Sequence, residues 1–147
     1  MSQALIRPGR KEDAKRVWEL RNDPVTRRWF KSQEEIPFDE QWYLKKYFTG
    51  GKSRCYVLEL EQRVIGYCRL DYRVEDGTYE VSVAIEPAQY GKGYGTRMLS
   101  ESLDMCRDRP LVALINKENA VSVKLFEKFG FKTEGDDKGF LRLVLIK

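Results

Sequence analysis

Three glycines, Gly91, Gly93 and Gly95, alternate with larger residues where a strand pattern gives way to a helix pattern. Glycines at such a place leave backbone N–H groups uncovered, and the helix behind them points the positive end of its dipole at the same spot. Lys92 and Arg97 add positive charge nearby. We therefore predict that backbone amides of this turn bind a phosphate group. A flexible turn before an ordinary amphipathic helix is the alternative.

Two familiar phosphate-binding motifs do not fit this turn. The dinucleotide-binding pattern G-x-G-x-x-G requires glycine at the position of Thr96, and a Walker loop requires a G-K-[ST] sequence that does not follow here. The predicted phosphate therefore belongs to another class of ligand.

The composition limits the catalytic chemistry. The chain contains no histidine, which excludes Ser–His and Cys–His catalysis and leaves few ligands for a metal, so no metal site is predicted. A general base must then be a carboxylate or a tyrosine. The three cysteines are scattered, and we expect them to be buried thiols in a reducing compartment.

Length and charge indicate an ordinary soluble protein. The 147 residues are predicted to form one domain, residues 1–147, and a net charge of +4 suits an anionic cofactor as well as simple solubility. No nucleic-acid motif is present. We expect a cytoplasmic protein, because no apolar run follows residues 1–9 as in a signal peptide and no stretch approaches about 20 apolar residues.

Alternating and helical hydrophobic patterns predict the elements that position these residues. Strands are predicted at residues 3–7, 54–60, 64–72, 78–86, 111–115, 132–134 and 140–146, and helices at 13–22, 38–48, 120–129 and directly behind the glycines. Residues 25–30 are predicted to form a short helix or turn.

Two segments resemble the GNAT superfamily of N-acetyltransferases. The segment EPAQYGKGYGTRML resembles the acyl-coenzyme-A loop [QR]-x-x-G-x-[GA], with its glycines at Gly93 and Gly95 and a departure at Tyr90, which occupies the first position. The segment NKENAVSVKLFEKFGF resembles a second motif through Asn119, Ser122, Lys128, Gly130 and Phe131. The two segments occur in the order that the family has, and they span residues 86–131 with the helix and strand between them.

The resemblance implies an α+β fold whose central, mostly antiparallel and split sheet has about seven strands with helices on both faces. It also implies acetyl-CoA, with its pyrophosphate on the glycine turn and its pantetheine arm pairing with the backbone like an added strand. A backbone N–H near Val83 would polarise the acetyl carbonyl. The residues expected to contact the cofactor are Val83, Ile85, Tyr90, Gly91, Lys92, Gly93, Tyr94, Gly95, Thr96, Asn119, Ser122 and Phe126. Asn119 is alternatively a plain helix N-cap.

An N-acetyltransferase needs a neutral amine, and therefore a base. Glu80 is our first candidate because it precedes the expected carbonyl donor on the same strand, and Asp71 and Tyr79 are weaker candidates. Phe126 occupies the position of a tyrosine that serves many family members as general acid, so this role is vacant or belongs to another group, such as Tyr90.

The segment WELRNDPVTRRWF resembles the opening of acetyltransferases of the pseudaminic-acid pathway, which act on nucleotide-linked amino sugars. Arginines can bind a diphosphate bidentately and tryptophans can stack on a base. The substrate-binding candidates are Arg21, Arg27, Arg28, Trp29 and Trp42. In the alternative interpretation, the tryptophans are core anchors and the arginines face solvent.

The preferred hypothesis is acetyl transfer to the primary amine of a nucleotide-linked amino sugar. The alternatives are a ribosomal-protein or peptide N-terminal acetyltransferase and a non-catalytic acyl-CoA-binding module. A homodimer is expected only by resemblance.

Overall fold

The computed structural model describes residues 3–147, which form seven strands, five α-helices and two short 3₁₀ turns. The strands are β1 (Ala4–Pro8), β2 (Arg54–Leu60), β3 (Arg63–Tyr72), β4 (Tyr79–Ile85), β5 (Leu111–Asn116), β6 (Lys132–Asp137) and β7 (Phe140–Leu145). The helices are α1 (Ala14–Asn22), α2 (Pro24–Arg27), α3 (Glu40–Tyr47), α4 (Tyr94–Met105) and α5 (Ala120–Lys128), and the 3₁₀ turns are Lys11–Asp13 and Pro87–Gln89.

All seven strands belong to one sheet in the order β1-β2-β3-β4-β5-β7-β6. Every neighbouring pair is antiparallel except β4 and β5, which are parallel and are connected through α4. The predicted fold class, a mostly antiparallel mixed sheet with helices, is confirmed.

The sheet is split between β4 and β5. These strands pair only at Tyr79–Leu111 and Glu80–Val112. The Tyr79 N–H donates to the Pro110 carbonyl on the β5 side, whereas the Glu86 N–H donates to Ile65 on the β3 side. Because successive residues of a strand direct their backbone groups to opposite sides, the amides of Val83 and Ile85 face the open part of the split.

Two hydrophobic clusters cover the two faces of the sheet. One contains buried side chains of α4 and α5, including Met98, Leu99 and Phe126, and the other contains those of α1 and α3, including Val17 and Tyr43. The split between β4 and β5 therefore connects the face covered by α4 and α5 with the face covered by α1 and α3. Elsewhere in the sheet, a bulge shifts the register of the β2–β3 pair beyond Leu58.

Most element bounds lie within one or two residues of those predicted, but the predicted 132–134 strand extends to Asp137. The difference arises in the following turn, where Lys138 and Gly139 have φ values of 53° and 90°. Two consecutive residues in the left-handed region reverse the chain within two positions and match the twist of the flanking strands. Within residues 3–147, no helix has the length and apolar character needed to cross a membrane.

Candidate active site

A cavity of about 1040 Å³ lies at the split and receives residues from both faces of the sheet. The glycine turn, β4 and the first turns of α5 line one part of it. Residues of α1, β3 and the segment after α2 line another. A ligand in this cavity can therefore contact predicted cofactor-binding residues and predicted substrate-binding residues at the same time.

The glycine turn is open toward this cavity. Gly91 and Gly93 both have φ of 80°, and Gly93 is the N-cap of α4. A Cβ built on either residue meets no other atom within 4 Å. The first amides of a helix have no carbonyl partner inside the helix, so the turn presents free donors around Tyr94, Gly95 and Thr96, which line the cavity.

The two cations near the turn have protein partners. Lys92 Nζ donates to Gln89 Oε1 at 3.0 Å, and Lys92 does not line the cavity. Arg97 forms a 3.0 Å ion pair with Glu101 and donates to the Ala4 carbonyl at 3.1 Å. The free donors of this turn are therefore mainly backbone amides.

The start of α5 forms another part of the wall. Asn119 Oδ1 accepts a hydrogen bond from the Ser122 N–H at 3.3 Å, which confirms that Asn119 is an N-cap. Its side-chain amide nitrogen has no partner within residues 3–147, and both Asn119 and Ser122 line the cavity. Phe126 also reaches the wall but is 3% exposed and packs edge-on against Phe131, with 5.0 Å between ring centroids.

Two carboxylates face the cavity from neighbouring strands. Asp71 and Glu80 are directly opposite each other in the β3–β4 register and both line the cavity. Asp71 accepts a short hydrogen bond from the Tyr47 hydroxyl and pairs with Arg69 at 2.9 Å. Within residues 3–147, the Glu80 carboxylate has one polar partner, Arg73 Nη1 at 3.3 Å, so its oxygens keep more free hydrogen-bonding positions than those of Asp71.

The weaker candidates for proton transfer lie in different surroundings. Tyr79 is buried against Tyr72, with 5.2 Å between ring centroids, and does not line the cavity. Burial raises the pKa of Tyr79, so less of this residue is present as the phenolate that could take up a proton. Tyr90 is 51% exposed and lines the cavity beside the glycine turn.

The structure brings three of the five predicted substrate-binding residues to the cavity. Arg21, Arg28 and Trp29 line it, and the Arg28 guanidinium lies 4.7 Å from the centroid of the Trp29 ring. Arg27 instead donates to the Gln33 carbonyl at 3.3 Å. Trp42 is 43% exposed on α3, edge-on to Tyr43 at 4.9 Å.

Sequence analysis named Asp71 as a weaker candidate for the base but missed Tyr67 and Arg69 on the same strand, β3. Tyr67, Arg69 and Asp71 occupy alternate positions of this strand and all line the cavity. Burial opposes the charge of Arg69, but Asp71 and three neighbouring tyrosines together outweigh this effect and raise the pKa of Arg69. Three polar residues at alternate positions of an apolar strand are the signal that could have revealed them.

The described part of the chain contains no cluster of three or more potential metal ligands. The cavity is lined by backbone donors, carboxylates, hydroxyls and arginines.

Comparisons with known proteins agree with this geometry. The family described as "Acetyltransferase (GNAT) domain" matches residues 3–132. A Salmonella typhimurium L-methionine sulfoximine/L-methionine sulfone acetyltransferase is 36% identical over 97 residues, or 61% of this chain and 56% of the relative. The Escherichia coli spermidine N(1)-acetyltransferase is 26% identical over 137 residues, or 89% of this chain and 74% of the relative.

The chain thus spans little more than half the length of the first of these relatives. Among solved structures, yncA of Salmonella typhimurium with its cofactor acetyl-CoA superimposes with a TM-score of 0.82 at 27% identity, covering 98% of this chain and 94% of that one.

Proposed function

The chain belongs to the GNAT family of acetyl-CoA-dependent N-acetyltransferases, and we propose that it acetylates the primary amine of a small molecule. The observation that carries this proposal is the single cavity at the sheet split, lined on one part by the glycine turn and on another by Glu80 and arginines. A donor and an acceptor entering from the two faces would meet beside β4.

The cavity walls suit acetyl-CoA. The open space over Gly91 and Gly93 would admit a diphosphate to the amides of the turn. The amides of Val83 and Ile85, which β5 does not pair, would bond the amide-rich pantetheine arm. Asn119 keeps a free side-chain amide for the same arm while its oxygen caps α5.

Acetyl-CoA supplies an acetyl group already activated as a thioester. In our proposal, the Val83 N–H donates to the acetyl carbonyl oxygen and stabilises the negative charge that develops there. The Glu80 carboxylate takes a proton from the acceptor ammonium, directly or through water, so that the neutral amine can attack. Phe126 cannot supply a proton to the departing sulfur, and Tyr90 remains the candidate from the sequence.

The acceptor predicted from the sequence, a nucleotide-linked amino sugar, stays one candidate. Arg28 stacked on Trp29 in the cavity wall supports it, because this pair offers a cation and an aromatic surface together. Neither of the two relatives described above is named for an amino sugar. An amino-acid-like acceptor is the second candidate, supported by the methionine sulfone specificity of the first relative.

The test is thiol release from acetyl-CoA with a panel of amines: L-methionine sulfone, a UDP-linked 4-amino sugar, spermidine and a peptide with a free N-terminus. Fast release with a small amine supports the proposal and identifies its class. Release with the peptide alone would replace it with a peptide N-acetyltransferase. Binding of acetyl-CoA without thiol release in the presence of any of these amines would favour a non-catalytic acyl-CoA-binding module.

A further inference from the structure

Three residues that line the cavity each carry a buried polar atom that has no hydrogen-bond partner within residues 3–147. These atoms are Arg21 Nη1, Thr26 Oγ1 and the Tyr67 hydroxyl. Tyr67 has an exposed fraction of 0%. A buried polar group without a partner is costly, so three of them around one cavity indicate that a ligand group belongs there.

The charge of this wall selects the kind of group. Arg21 has no carboxylate within 4.0 Å in the described chain and instead lies 4.4 Å from the centroid of the Phe30 ring. Burial lowers the pKa of Arg21, and the nearby positive charge of Arg69 acts in the same direction. A negative group would compensate the guanidinium and accept hydrogen bonds from both hydroxyls, whereas a neutral carbonyl would leave the charge unpaired.

The register of β3 and β4 places this wall relative to the carboxylates. Tyr67 is opposite Ala84, Arg69 is opposite Ser82 and Asp71 is opposite Glu80. The same face of the sheet therefore carries the Tyr67 hydroxyl toward one end and the Asp71 and Glu80 carboxylates at the other, about 13 Å apart along the strand at its usual rise. An acceptor with an amine at one end and an anion at the other matches this order.

We propose that Arg21, Thr26 and Tyr67 form a subsite for an anionic group, a carboxylate or a phosphate, on the same molecule as the acceptor amine. This proposal rests on the proposed function and narrows its substrate class. It disfavours a polyamine, because Arg28, Lys31 and Arg69 also line the cavity and would repel a second ammonium group.

Matched acceptor pairs test the subsite and separate its two sources. L-methionine sulfone is compared with its carboxamide, and a UDP-linked 4-amino sugar with the methyl glycoside of the same sugar. We expect the anionic member of one pair to have a kcat/KM at least about tenfold higher, mainly through KM. A preference within the first pair would identify the anionic group as a carboxylate, and a preference within the second pair would identify it as a phosphate.

Single variants locate the effect. Arg21→Gln should reduce the kcat/KM ratio between the anionic and the neutral acceptor to near one. Tyr67→Phe should raise the KM of the anionic acceptor about tenfold. The melting temperature of Tyr67→Phe should stay equal or rise, because the lost hydroxyl has no partner in the protein. Arg107→Gln removes the same charge from an exposed position outside the cavity and should keep the preference.

Equal kcat/KM for both members of each pair would overturn the subsite while leaving the acetyltransferase proposal intact. So would a preference that survives Arg21→Gln, or a Tyr67→Phe variant that melts several degrees lower with an unchanged KM. Absence of thiol release with every small amine would overturn the proposed function and the subsite together.

Discussion

Replacing Gly93 with alanine separates the conformational role of this glycine from its role at the candidate cofactor site. Gly93 has φ of 80° and Gly77, in the turn before β4, has φ of 72°, and a Cβ at either meets nothing within 4 Å. Left-handed backbone costs a residue with a side chain about 1 kcal/mol. Gly93→Ala and Gly77→Ala should therefore each lower the melting temperature by about 2–4 °C.

Only Gly93→Ala should weaken acetyl-CoA binding. Gly93 lines the cavity and its added methyl group would project into the open space in front of the turn amides. Holding the diphosphate away from one amide removes a hydrogen bond to a charged group, about 1.5–3 kcal/mol. This corresponds to a dissociation constant about 10 to 100 times larger.

Titration calorimetry with acetyl-CoA measures the affinity, and a thermal melt without ligand measures the stability. Gly93→Ala and the parent protein should use acetyl-pantetheine, an acetyl donor that lacks the diphosphate, with equal kcat/KM. Our interpretation of the glycine turn would be refuted if Gly93→Ala bound acetyl-CoA as tightly as Gly77→Ala does. Equal losses for acetyl-CoA and acetyl-pantetheine would also refute it, since the diphosphate could not then be the group affected.

Three further outcomes are expected. Glu80→Gln should lower kcat/KM about 100-fold at neutral pH, with a deficit that shrinks as rising pH deprotonates the amine, and a flat ratio across pH would remove Glu80 as the base. Asp13 is buried, but its hydrogen bonds from Arg7 and from the Arg10 amide outweigh the effect of burial and lower the pKa of Asp13. Asp13→Asn should therefore lose about 2 kcal/mol of unfolding free energy above pH 4, and the difference from the parent should vanish in more acidic solution; denaturant melts at several pH values measure it. In hydrogen exchange, acetyl-CoA should protect the amides of Val83 and Ile85 far more than the even-numbered amides of β4, which β3 already bonds.

The glycine turn and the succession of strands and helices along the chain were predictable because their signals are local. Glycines, a proline and a helical pattern follow one another within a few residues, and each acts on its own neighbourhood. The hydrogen bonds of Tyr47 with Arg69 and Asp71 were not predictable, because they join α3 to β3 across 22 to 24 residues. The direction of the Arg27 side chain was equally hidden, since Arg27 ends a four-residue helix that has no periodicity from which a buried face can be inferred.

The split itself explains why a site forms here. A parallel pair connected through a helix does not have the tight turn that holds a hairpin in register, and β4 and β5 stay paired over only two positions. Each unpaired amide beyond Glu80 would cost about 1–3 kcal/mol if buried without a partner, so the interior edge favours a ligand that carries its own hydrogen-bonding backbone. The same opening connects the amides of the glycine turn on one face with the carboxylates and arginines on the other. In the mechanism that we propose, the acceptor amine therefore approaches the thioester from the face opposite the helix dipole and attacks it directly, without a covalent intermediate on the protein.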